Sequence, residues 1–167
     1  IKPGVLYRDI HLASAKVITE GLQQLGLMKG NAEESVAAGA HGVFFPHGLG
    51  HQIGLDVHEM ENLGEDLVGY RDGLERSTQL GSKSPRLARE HEERLVLTVE
   101  PGCYVIPALI EQWKANKQHE EFINYQALEA YYDFGGVRIE DDVVVTADGY
   151  KTLGTPAPKT ISAVEAM

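Results

Sequence analysis

The stretch PHGLGHQIGLDVHE, residues 46–59, constrains the fold most, because it combines three histidines with three glycines. Glycines at positions 48, 50 and 54 disfavour an α-helix by about 1 kcal/mol each, so we predict a strand or a loop. His47 and His51 have the spacing of a zinc-binding helix, but that motif needs Glu after the first histidine, and position 48 is glycine. Glycine lets a backbone pass close to a ligand. Each histidine alone could be an ordinary paired polar residue, whereas His47, His51 and His58 together indicate a binding site.

Composition restricts the classes of partner. The 167 residues are enough for one domain with a real core. The net charge of −10, from 25 acidic and 15 basic residues, argues against nucleic acid or an anionic membrane as a partner. No stretch has the length of a transmembrane helix. The single cysteine, Cys103, excludes an internal disulfide and favours a reducing, cytoplasmic location.

The chain predicts an α+β domain, because helical and strand-like periods are mixed along it. We expect helices at 7–29, 32–39, 107–131 (in two pieces) and 160–166. We expect strands at 43–45 (VFF), 94–106 and 135–146, followed by the turn ADGY and a tail. The polar segment 61–94 is predicted to be a long loop, which in a compact domain is usually functional or disordered.

Two glutamates stand in otherwise apolar strands. Glu100, in LTVEPG, is expensive to bury unless it is paired or bound to a metal; alternatively, it lies at the strand end and faces water. In GVRIEDDVVV, strand alternation puts Arg138 and Glu140 on one face, where they could simply form an ion pair. Together with His51, the two glutamates form a ligand set that suits Mn, Co, Zn or Fe(II). Three side chains are too few to hold two ions.

Three motifs, PHGLGHQIGLDVHE, LTVEPGCY and GGVRIEDDVVVT, occur in this order and resemble the pita-bread metallopeptidases. This superfamily includes methionine aminopeptidase, aminopeptidase P and prolidase. The chain is most similar to the prolidases, the Xaa-Pro dipeptidases, over nearly its whole length, including the loop SPRLAR. The resemblance implies the C-terminal part of a pita-bread (creatinase/aminopeptidase-like) catalytic domain over residues 1–167.

The resemblance also implies a site with two divalent ions; manganese is the expected metal, with zinc or cobalt as alternatives. His51 and Glu100 would bind one ion, Glu100 would also act on the nucleophilic water, and Glu140 would bridge both ions. His47 and His58 would line the substrate site, with His58 stabilising the charge that develops on the scissile carbonyl oxygen.

Two arginines complete the implied substrate site. Arg86 matches the arginine that prolidases place against the C-terminal carboxylate of the substrate, and Arg138 would lie at the wall of the site. A bidentate arginine on a free carboxylate selects short substrates and excludes longer peptides. The expected substrate is therefore a proline-containing dipeptide.

The family's site uses two further aspartates on a strand hairpin upstream of the first helix. Asp9 is the only aspartate before Asp56, and neither matches that hairpin. We therefore expect the N-terminal domain and the aspartate hairpin to lie outside this chain, and the chain alone to be inactive. The complete protein is expected to be a homodimer, as is common for prolidases.

Three other functions stay open. The first is aminopeptidase P, which removes a residue ahead of proline from longer peptides; the loop SPRLAR favours a dipeptidase instead. The second is a non-catalytic pita-bread module that binds peptides or proteins. The presence of all three downstream ligands argues against such a module. The third is a metal-free, creatinase-like hydrolase on the same fold, and the same ligands argue against it.

Overall fold

The computed structural model describes residues 1–71, 73–81 and 85–167. Its first helix, α1, spans Tyr7–Gln24, and its buried residues follow one face of the helix: Tyr7, His11, Ala15, Thr19 and Leu22. The helix ends earlier than the predicted residue 29, because Gly26 and Gly30 have φ values of +73° and +81°. Leu27 and Met28 are still buried, since the chain turns back towards the core after the helix.

The remaining helices are short. They are α2 (Ala32–Ala38), α3 (Glu65–Gly69), α4 (Pro107–Ala115), α5 (Tyr125–Leu128) and α6 (Ile161–Glu165). Turns of 3-10 helix lie at Ala40–Val43, Glu61–Leu63 and Glu129–Tyr131. Within the described ranges, no helix combines the length and the apolar character needed to span a bilayer.

Two predictions about these segments were wrong. The run VFF was expected to be a strand, but Val43 ends a 3-10 turn and Phe44 and Phe45 follow it, all three fully buried. A short apolar run does not distinguish a strand from another buried conformation. The segment 61–94 was expected to be a loop throughout, but it contains α3 and a 3-10 turn. Position 72 and positions 82–84, which include the first residue of SPRLAR, lie outside the described residues.

Five strands form two antiparallel sheets. They are β1 (Val96–Val99), β2 (Gly102–Tyr104), β3 (Gly136–Arg138), β4 (Asp141–Val145) and β5 (Tyr150–Thr152), with orders β1-β4-β5 and β2-β3. Each long predicted strand is therefore interrupted, one at positions 100–101 and the other at 139–140. The turn after β4 is confirmed, but it leads into β5, which was predicted as part of the tail.

Most of the buried apolar side chains form two clusters. One gathers Leu22, Phe44, Ile110 and Trp113 with their neighbours. The other packs Phe45, Leu49, Leu97 and Val143 with theirs. Ile18 of α1 packs against both, so the first helix joins the two cores. The mixture of helices and antiparallel sheets is the predicted α+β class.

Candidate active site

The histidine-rich stretch runs beside β1. The amide N–H groups of Ile53, Thr98 and Glu100 donate to the carbonyls of Val96, His51 and Leu49, respectively. The prediction of a strand or loop instead of a helix is therefore confirmed: residues 49–53 lie along β1, and residues 54–60 form bends and a turn. The amide of His51 donates to Oγ1 of Thr98 at 3.0 Å, which fixes this histidine at the end of β1 beside Glu100.

Gly50 allows this close approach. A Cβ built at position 50 would lie 2.2 Å from the carbonyl oxygen of Thr98 and 2.4 Å from Oη of Tyr7. The hydroxyl of Tyr7 itself donates to that carbonyl at 2.5 Å. Glycine is thus required at position 50 because β1 and Tyr7 pack against its backbone. The close approach is to the protein itself and not to a ligand.

His51 and Glu100 form the centre of the site. Their side chains are largely buried, and Nε2 of His51 lies 3.4 Å from Oε1 of Glu100. Nδ1 of His51 lies 3.0 Å from the carbonyl of Gln52, which can only accept, so in the neutral ring the proton is on Nδ1 and the lone pair of Nε2 faces Glu100. Nε2 of His51 and Oε1 of Glu100 both carry lone pairs, and their separation leaves room for one cation bound to both. Nitrogen and oxygen ligands lie at about 2.0–2.2 Å from such an ion.

Glu100 does not face water. It is 9% exposed, its Oε1 accepts from the hydroxyl of Thr98 at 3.1 Å, and its Oε2 accepts from Nη1 of Arg138 at 3.0 Å. The alternative of an ion pair between Arg138 and Glu140 is not what the structure shows, because the guanidinium of Arg138 contacts Glu100 instead.

Glu140 reaches the site through the interruption of the sheets. β1 pairs with β4 up to Val99 opposite Asp141, and β2 pairs with β3 from Gly102 opposite Arg138. The register is the same on both sides of the gap, so positions 100 and 140 face each other within it. Glu140 lines the same cavity as Glu100 and His51. Over the described residues, however, no three His, Cys, Asp or Glu side chains converge enough to hold an ion by themselves.

A hydrogen-bonded chain links His47 to Glu100. Nδ1 of His47 lies 2.7 Å from the carbonyl of Gly48, so its Nε2 accepts from the hydroxyl of Tyr104 at 3.1 Å. The same hydroxyl accepts from Nε of Arg138 at 2.8 Å. Burial lowers the pKa of His47, and the nearby Arg138 adds to this effect. The hydrogen bond to Tyr104 raises the pKa of Arg138, which therefore stays charged.

Tyr104 was not identified from the sequence, although a signal was present. Strand alternation from Glu100 places Gly102 and Tyr104 on the same side. A Cβ at Gly102 would lie 2.4 Å from Oη of Tyr104, and one at Gly136 would lie 2.3 Å from its Cδ1. The ring therefore lies across two glycines, which explains both of them and directs its hydroxyl into the site.

His58 and Arg86 line the same cavity and contact each other. The ring of His58 stands edge-on to that of His51, with centroids 4.4 Å apart. Nη1 of Arg86 donates to Nδ1 of His58 at 2.9 Å and also to Oε2 of Glu61. Because Nδ1 of His58 accepts, the neutral ring carries its proton on Nε2 and is a hydrogen-bond donor.

One cavity of about 590 Å³ gathers every side chain predicted from the sequence: His47, His51, His58, Arg86, Glu100, Arg138 and Glu140. Glu65 and Arg76, which were not predicted, also line it. Three arginines balance three glutamates, so the cavity can receive both a cation and an anionic group.

Comparisons with known proteins identify the family to which the chain is similar. Residues 1–147 match the model of metallopeptidase family M24. The chain is 42% identical over 166 residues to the Xaa-Pro dipeptidase of Rattus norvegicus, covering 99% of the chain and 32% of that protein. It is 37% identical over 186 residues to a probable Xaa-Pro aminopeptidase of Colletotrichum graminicola, covering 95% of the chain and 35% of that protein.

Solved structures show the same fold. The aminopeptidase PepP of Pseudomonas aeruginosa superposes with a TM-score of 0.67 and 35% identity, over 99% of this chain and 30% of that one. The fold predicted from the three motifs, the C-terminal part of a pita-bread domain, is confirmed. The chain spans about a third of the length of the relatives it matches. From its three ordered motifs, its fold and the match over residues 1–147, this chain belongs to metallopeptidase family M24.

Proposed function

We propose that the natural protein that carries this chain hydrolyses Xaa-Pro dipeptides with the help of divalent metal ions. The observation that supports this most directly is the single cavity that brings together His51, Glu100 and Glu140 with His58 and Arg86. The likeness to proteins named Xaa-Pro dipeptidase supports the same substrate class.

His51, Glu100 and Glu140 would hold the metal ions, because they supply one imidazole and two carboxylates to one cavity. When bound, two divalent ions supply an activated water and polarise the carbonyl of the scissile bond. We propose manganese as the metal, with zinc or cobalt as alternatives. One relative of known structure is described as a zinc-substituted aminopeptidase P of E. coli in complex with product. We propose that the two further aspartate ligands come from a segment of the natural protein outside this chain.

The other side chains would bind the substrate. Glu100 would take the proton of the attacking water on a carboxylate oxygen. His58 would donate Nε2–H to the carbonyl oxygen as negative charge develops there, a contribution of about 3 kcal/mol for such donors. His47 and Arg138 would form part of the wall of the substrate site, where both are hydrogen-bonded to the hydroxyl of Tyr104. An Xaa-Pro bond has no N–H, and none of these contacts requires one.

Arg86 would receive the free carboxylate of the dipeptide. Its Nη1 is used by His58 and Glu61, and within the described residues its Nε and Nη2 atoms have no hydrogen-bond partner. That edge of the guanidinium can form two parallel bonds with a carboxylate. We further propose that the natural protein is a homodimer. We also propose that it lies in the reducing cytoplasm, because the chain has a single cysteine.

A second candidate is an aminopeptidase P that acts on longer peptides, because solved relatives carry that name. The two are separated by assaying the manganese-loaded natural protein with Gly-Pro and with Gly-Pro extended by further residues. We expect faster hydrolysis of Gly-Pro and loss of activity on treatment with a chelator. Preferred cleavage of the longer peptide would support the second candidate. No cleavage of either peptide with Mn, Co or Zn would contradict both and leave a binding module.

A further inference from the structure

Glu61 contacts Arg86 without itself lining the cavity. It is the first residue of the 3-10 turn Glu61–Leu63 and follows Met60, which has a φ of +51°. Its side chain is only 13% exposed, whereas that of Arg86 is 43% exposed. A carboxylate with so little access to water needs a charged partner, and Arg86 is the cation that it contacts.

The hydrogen bonds of Nη1 also orient the guanidinium of Arg86. Both hydrogens of Nη1 are engaged, one by Oε2 of Glu61 and the other by Nδ1 of His58. An arginine side chain is long and loses rotamer freedom when it is fixed. Two anchors on a single nitrogen fix the plane of the guanidinium and leave its Nε–Nη2 edge, which is the edge for bidentate binding of a carboxylate.

We infer that Glu61 is a specificity-determining positioning residue: it orients Arg86 as the receptor for the C-terminal carboxylate of the substrate. This inference rests on the proposed function. Glu61 does not touch the substrate and acts through Arg86. Its effect should therefore appear only with ligands that carry a free carboxylate.

The test compares two substrates in the manganese-loaded natural protein: an Xaa-Pro dipeptide and the same dipeptide amide, which lacks the carboxylate. In Glu61→Ala, the KM for the dipeptide should rise about tenfold, the scale of one oriented charged hydrogen bond, while kcat and the KM for the amide change less than about twofold. Glu61→Gln keeps an oxygen that accepts from Nη1 and should restore most of the wild-type KM.

Direct binding separates this inference from the proposed reaction. By calorimetry, Glu61→Ala should weaken the binding of proline and leave that of prolinamide unchanged. This result can be obtained even if no substrate is cleaved. Glu93→Ala, which removes an equal charge from an exposed position, is the control and should behave as wild type. Circular dichroism verifies that each variant is folded.

Three outcomes would overturn the inference. Equal losses with the carboxylate and amide ligands would show a general structural role. Unchanged KM and proline binding in Glu61→Ala would show that Arg86 needs no anchor. A lower KM in Glu61→Ala would show that Glu61 competes with the substrate carboxylate for Arg86 instead of orienting it.

Discussion

At the scale of single residues, the hydroxyl of Tyr104 connects the histidine side of the cavity with its carboxylate side. It donates to Nε2 of His47 and accepts from Nε of Arg138, whose Nη1 holds Glu100. The position of the proposed metal ligand Glu100 thus depends on a tyrosine four residues later in the chain. Gly102 and Gly136 provide the space for that ring, so the strand glycines belong to the site as well.

Tyr104→Phe should remove both hydrogen bonds while leaving the ring over its two glycines. We expect kcat/KM of the metal-loaded natural protein on a Xaa-Pro dipeptide to fall by about ten- to a hundredfold, since a hydrogen bond to a charged group contributes about 1.5–3 kcal/mol. The free energy of unfolding should fall as well, by about 1–3 kcal/mol, because the same hydrogen bonds are lost from the folded protein. Tyr132→Phe is a matched control, because the hydroxyl of Tyr132 donates to Glu111 in an exposed position. Equal activity of the two variants would show that the network does not position Glu100.

At the scale of secondary-structure elements, the close contact between the histidine stretch and β1 determines where His51 lies. Gly50→Ala should force these two segments apart, because its Cβ would meet the Thr98 carbonyl and the Tyr7 hydroxyl. We expect a loss of about 1–3 kcal/mol in the free energy of unfolding, as for other overpacked sites, together with weaker metal binding.

Urea unfolding and metal titration of the natural protein measure the two effects of Gly50→Ala. Gly149→Ala is the control: a Cβ there has one neighbour within 4 Å, at 3.9 Å, so stability should stay close to wild type. If Gly50→Ala were as stable as Gly149→Ala, the segments would be free to separate without cost.

The elements also show how far the sequence predicts the structure. Periodicity located α1 and both halves of the strand pair, because their apolar positions recur over many residues. It could not locate the breaks at Glu100 and Glu140, which depend on pairing between distant segments. It also missed β5, whose three residues carry too short a pattern. The predicted site side chains all reach one cavity; six of them lie in the three motifs, and Arg86 lies in the loop SPRLAR. Glu61 could not be identified in advance, because its role depends on where Arg86 lies, whereas Tyr104 could have been found from its alternation with Glu100 and Gly102.

At the scale of the whole molecule, α1 fixes a pair of buried histidines where it meets the turn after α2. His11 and His41 have no exposed surface, and their ring centroids are 6.3 Å apart. Burial lowers the pKa of each to about 4. The proximity of the two rings lowers that of His41 further, whereas the backbone of Gly81 partly opposes the shift in His11.

These histidines should make the fold acid-sensitive. In the unfolded chain a histidine has a pKa of about 6.5, so between pH 6.5 and 4 the unfolded state binds more protons and stability falls as the pH decreases. Each histidine can account for up to about 3 kcal/mol over this window, and for almost nothing above pH 7. We expect the double variant His11→Gln/His41→Gln, even if less stable at pH 8, to show a shallower decline in unfolding free energy from pH 7 to pH 4. Urea unfolding of the natural protein at a series of pH values measures that slope. The same slope in variant and wild type would mean that the two rings are already charged in the folded protein, or that other groups carry the acid sensitivity.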